Sequence, residues 1–95
     1  MAFVTTRAAG TFGIPDGVDD AAAVAAWEGL AGALRVVGVP RLASARQVHG
    51  TTVVSHSIGW TGWRRHDAAD GHIISGPGAA AVTIADCVPI LIGHP

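Results

Sequence analysis

The chain has 95 residues, 49% of them hydrophobic and 14% charged, and its six arginines against seven acids leave a net charge of -1 without a single lysine. That composition excludes a disordered chain and lacks the basic field that grips DNA or RNA, so no nucleic-acid partner is expected. A chain this short buries only roughly 60–65% of its unfolded surface when it folds alone, and so apolar a sequence points to a dimer face, another chain or a missing half.

Residues 3–7 alternate apolar and polar side chains as a half-buried strand does, and Gly10, Gly13, Pro15 and Gly17 mark the loop after it. From Asp19 onward Val24, Trp27, Leu30, Ala31, Leu34 and Val37 recur at helical spacing. Asp19 or Asp20 is placed to cap that helix, and Gly38 with Pro40 to end it. Gly29 and Gly32 each cost about 1 kcal/mol relative to Ala, so the helix depends on its packing face. Beyond residues 41–43, the stretch 44–57 holds Val48, Val53 and Val54 among threonines and reads as two strand pieces hinged near Gly50, with His49 at the hinge.

Residues 59–67 follow neither period and are expected to form a connecting loop whose Trp60 and Trp63 cover a core edge. Residues 71–75 read as a strand, Gly76-Pro77-Gly78 as a turn, 80–85 as a buried strand covered on both faces, and 88–92 as a continuation after Pro89. A strand, one helix and then several strands, with no internal repeat and no linker, predict a single α/β or α+β unit spanning residues 1–95. The apolar run 79–93 carries Asp86 and Pro89 and falls short of the ~20 residues a bilayer requires, so no membrane span is expected. The start of the chain lacks the order of a secretion signal, and one cysteine cannot make an internal disulfide; a cytoplasmic setting is expected.

Cys87 stands between Asp86 and Val88-Pro89 at the end of an apolar run, where α/β proteins place their chemistry. A thiol there is a small hydrophobe, a soft metal ligand or a nucleophile, and the residues alone leave the three open. Asp86 must find donors in its apolar surroundings, from backbone N–H groups or an arginine. Among the five histidines, His49 is favoured over His56, His66, His72 and His94 because Gly50 lets the backbone bend and aim the imidazole. Arg7 and Arg46 are the candidates for holding an anion such as phosphate. No Gly-x-Gly-x-x-Gly or P-loop is present, which leaves dinucleotide and nucleoside triphosphate cofactors without support.

Thr5-Thr6-Arg7-Ala8-Ala9-Gly10, Gln47-Val48-His49-Gly50, Ala69-Asp70 and Thr83-Ile84-Ala85-Asp86-Cys87-Val88-Pro89-Ile90-Leu91, in that order, resemble the blocks of the YfiH-like family. Its members are known as laccase-domain or polyphenol oxidase proteins, peptidoglycan editing factors or purine nucleoside phosphorylases. The resemblance covers most of this chain and the first part of a typical member. It implies a four-layer α/β/β/α fold, of which these residues are the N-terminal part with mixed sheet and one main helix.

The resemblance also implies a metal, usually zinc with copper in some relatives, held by His49, Cys87 and a histidine of a later His-Ala-Gly-Trp-Arg-Gly block. That third ligand has no counterpart here, and His94 lies too close behind Cys87 to replace it. Departures from the family include the absent Asn-Leu-Gly segment, Trp27-Glu28 in the helix and Gly71-His72 after Asp70. The implied activities are phosphorolysis of adenosine, inosine or methylthioadenosine and hydrolytic deamination of adenosine, with purine nucleoside and phosphate as partners. One thiolate and two imidazoles leave a fourth position on zinc, where a bound water ionises near pH ~7. The rival expectations are a metal-free hydrolase or deamidase, with Cys87 as nucleophile and His49 as base, and a non-catalytic remnant that pairs with another chain.

Overall fold

The computed structural model describes residues 21–84 together with Ile90 and Ile92. The expected first strand, the capping aspartates 19 and 20, Arg7, Asp86, Cys87 and His94 lie outside the described residues.

Helix α1 runs Ala21–Val36, and its buried stripe is Ala23, Trp27, Ala31 and Leu34. This is the 3.6-residue spacing read from the sequence, shifted so that Ala23 is inside while Val24 is 37% exposed. The helix stops where Gly38 takes a φ of +87°, a left-handed turn that glycine enters without Cβ strain. The amides of Val37 and Val39 both donate to the Leu34 carbonyl, so the orphaned end of the helix is satisfied locally. Val37 lies in that turn, exposed, instead of on the packed stripe.

Strand β1 spans Arg41–Ala45, β2 Val53–His56, β3 Gly62–His66, β4 Gly71–Ile74 and β5 Ala79–Ala80. They form a three-stranded sheet ordered β3-β1-β5 and a two-stranded sheet β2-β4, and every described pairing is parallel. The architecture is therefore α/β, with one helix on a small sheet and a second small sheet beyond it.

Four sequence expectations are corrected. Residues 59–67 are not a loop throughout: 62–66 form β3, paired along the whole of β1, and Gly62 opens it at φ +85°. The first strand piece begins at Arg41 and ends at Ala45, so the segment 46–52 is a connection, not strand. The described part of the run 80–85, residues 80–84, is not a doubly covered strand either, since regular pairing ends at Ala80 and Val82 and Ile84 are 42% and 44% exposed. Nor do Ile90 and Ile92, both largely exposed, sit in a strand. Apolar composition pointed to burial at these positions, but period and composition do not report what covers a face.

The core lies between α1 and the three-stranded sheet. Trp27, Ala31, Leu34 and Leu42 are its buried members, with Leu30, Val39, Trp63, Ala79 and Ala81 packed against them. Leu42 and Trp63 are register partners, so both side chains face the helix, and Trp63 stacks on Trp27 with ring centroids 5.7 Å apart and planes 4° from parallel. The Trp63 indole N–H donates to the Oγ of buried Ser44 at 2.7 Å, which settles the one polar atom each brings to this layer. Trp63 thus covers a core edge as its sequence context suggested.

The opposite face of β1 carries Arg41, only 3% exposed. Its guanidinium donates to the carbonyls of Ser57 (2.7 Å), Pro77 (3.1 Å) and Ser75, which fastens the ends of β2 and β4 and the turn before β5 to the start of the central strand. A buried charge is tolerable here because its donors are satisfied in a fixed planar fork.

Candidate functional site

Residues 46–50 leave β1 and turn sharply before β2. At the apex His49 adopts φ +56°, a left-handed conformation that a non-glycine residue holds only under outside constraint. The constraint is Asp70. Its carboxylate accepts the backbone N–H groups of Val48 (3.1 and 3.2 Å), His49 (3.0 Å) and Gly50 (2.9 Å), so three successive amides converge on one anion. The Gly50 bond first, helped by those of Val48 and His49, holds the Asp70 carboxyl below its ordinary value of 3.8 although desolvation opposes it. The carboxylate therefore stays charged through neutral and mildly acid pH.

Asp70 is positioned in turn by the second sheet. Its amide and that of Gly71 donate to the Thr52 carbonyl, each at 3.1 Å, immediately before β2 pairs with β4. Gly71 is required at that junction, because a Cβ there would stand 2.9 Å from Cγ2 of its register partner Val53.

The turn is tied on its other side by Gln47. The side-chain amide donates to the Thr83 carbonyl at 3.0 Å and accepts from the Thr83 amide at 2.7 Å and hydroxyl at 3.0 Å. Gln47 thereby substitutes for a strand backbone, continuing the pairing that Ala81 makes with Ala43. The segment that leads to Cys87 is held against the segment that carries His49. From Thr83 to Cys87 there are four residues, which at full extension span no more than about 14 Å.

Arg46, read as an anion holder, is bonded through Nε to Asp67 at 2.8 Å, and this bond is the first cause of a depressed Asp67 carboxyl. A surface ion pair of this kind is an ordinary structural contact. His66 and Asp67 interact locally, ring nitrogen to carbonyl. Sequence reasoning overlooked Arg41, the His56–His72 pair and the tethering role of Gln47. Each had a faint signal: a cation opening an apolar strand, two histidines at interior strand positions, and a glutamine where a ladder ends.

The residues around His49 suit a metal ligand in one respect that belongs to this chain: an exposed imidazole on a turn whose backbone is pinned at three amides can be presented without further ordering. Imidazole with thiolate is also a donor pair suited to zinc or copper. Among the described residues no group of three His, Cys, Asp or Glu side chains converges, so a complete site would need Cys87 and a further ligand.

Residues 4–95 match the family described as multi-copper polyphenol oxidoreductase laccase, and the chain belongs to that family. No curated protein and no solved structure matches the chain significantly. The family's name associates it with copper, and its membership is enzymatic in general. No helix among the described residues is long and apolar enough to cross a membrane.

Proposed function

We propose that this chain contributes His49 and Cys87 to the metal centre of a YfiH-like purine nucleoside phosphorylase acting on adenosine, inosine or methylthioadenosine, with adenosine deamination as a second activity. The observation that carries the reading is the tethered turn: Asp70 and Gln47 spend seven hydrogen bonds on orienting a segment whose one exposed functional group is the His49 imidazole. Residues 1–95 act as one unit, the N-terminal part of the family's domain, and the third ligand comes from outside them. Zinc is the favoured ion, and when bound it supplies Lewis acidity and an acidic water.

The rest falls to the chain. His49, held by its backbone, offers one imidazole nitrogen, and Cys87 offers its sulfur. In phosphorolysis a phosphate oxygen bonds to the sugar C1′ as the C1′–N bond breaks, and the departing purine takes a proton. The protein's task is to hold phosphate against that carbon and exclude water.

Zinc titration followed by metal analysis of the desalted protein tests the ligand assignment. Binding should be lost in Cys87→Ala and in His49→Ala; retention at wild-type strength in either variant defeats it. Phosphate-dependent release of hypoxanthine from inosine by the chain joined to its complementary C-terminal half tests the reaction. Thiol alkylation that is rapid in metal-stripped protein and blocked by nucleoside would instead favour the cysteine-nucleophile reading.

A further inference from the structure

The β2–β4 sheet mixes apolar and polar side chains on both faces. Val53 and Ile73 are more than half exposed, while His56 and His72 share the half-buried face with Val54 and Ile74. Two imidazoles therefore sit where the pattern calls for apolar side chains.

His56 Nε2 and His72 Nδ1 are 2.8 Å apart, the ring centroids 5.1 Å and the planes 19° from parallel. The centroid separation exceeds the nitrogen separation by about two ring radii, so the rings lie end to end and one N–H points along the other's lone pair. That bond needs a proton on one facing nitrogen and none on the other. It survives one added proton, because an imidazolium can donate to a neutral ring. A second added proton leaves two donors facing each other.

Among the described residues no acidic group acts on the pair to offset that second charge. The charged groups acting on the pair are Arg41 from β1 and Arg64 and His66 from β3, all basic, and Trp60 lies tilted 6.4 Å from His56. His72 Nε2 is buried and has no hydrogen-bond partner among the described residues, so none of them offers it an acceptor to share a proton with. Burial first, then these neighbours, lower both imidazoles below their ordinary 6.5.

We propose that the His56–His72 bond is a proton-sensitive latch: it joins β2 to β4 until both rings are charged, and its rupture loosens the Thr52–Asp70 junction and with it the turn that carries His49. The sign is definite. The unfolded chain takes up these protons near 6.5 and the folded one only at lower pH, so the pair's contribution is intact above 6.5 and is lost as pH falls through the folded values. Asp70 is not the cause of loosening in that window, since its carboxyl remains ionised there. The latch rests on hydrogen-bond geometry and not on the metal reading.

Metal-free protein tests it. Imidazole ¹⁵N shifts and amide exchange, corrected for intrinsic rates, are followed from about pH 7.5 to 5, the range in which imidazoles charge. The second protonation of the pair should coincide with loss of protection at the Asp70 and Gly71 amides. That loss should vanish in His56→Gln, whose amide still donates to His72 but does not titrate, and persist in His66→Gln. Independent titration of both rings near 6.5 with protection unchanged overturns the latch. So does an undiminished loss in His56→Gln or its disappearance in His66→Gln. If His56→Gln does not fold, the wild-type titration alone decides.

Discussion

Gln47 and Thr83, 36 positions apart, are joined by three hydrogen bonds through a single side-chain amide. A primary amide can imitate a peptide unit because it offers a donor and an acceptor side by side. Gln47→Leu keeps the bulk and removes both. The expected result is destabilisation of about 1–2 kcal/mol by denaturant unfolding and faster exchange of the Thr83 amide, with α1 amides unaffected at low denaturant. Gln47→Glu should keep the acceptor but set a carboxylate against the Thr83 carbonyl, and so also weaken the tie.

Asp70 predicts a separate acid transition. Its carboxyl is held low chiefly by the Gly50 N–H. Its contribution is therefore present above the unfolded value of 3.8 and is lost as pH falls through the lower folded one. Protonation of Asp70 should add its own rise in amide exchange at 48–50, in that strongly acid range. Asp70→Ala should show the raised exchange already at neutral pH, whereas Asp70→Asn, which retains one acceptor oxygen, should lie between.

Arg41 joins three carbonyls from a buried position. Lysine keeps the charge but not the planar fork, so Arg41→Lys should cost about 2–3 kcal/mol. Chemical denaturation checks the figure. A variant as stable as wild type would show that the three segments do not depend on the guanidinium.

Gly29 and Gly32 lie on the exposed side of α1, and a Cβ at either would meet nothing within 4 Å. Alanine at each should stabilise by about 0.5–1 kcal/mol through restriction of the unfolded chain and better helix propensity. Thermal melting of the single and double variants reads this directly, and additivity is expected since neither touches a neighbour.

The helix was legible because its stripe, its glycine stop and its following proline all point the same way. So was the turn at His49, from Gly50. Trp63 was seen as a core cover but not as a strand residue: β3 pairs at its polar end through Arg64, Arg65 and His66, which alternate no apolar side chains. Arg41 illustrates the same limit, for a buried guanidinium is explained only by carbonyls 16 to 36 residues away. Family membership came through the ordered blocks, while the tether from Gln47 to Thr83 needed coordinates.

Every described strand pairs in parallel, so no two of the described strands form a hairpin and each of their pairings waits on a crossover. On the ribosome, β1 is made before either neighbour. It can find its first partner only after residue 66 emerges, and its second only after residue 80. Until then the nascent chain offers a central strand with both edges bare, and helix α1 is the one described element able to form beside it from local contacts.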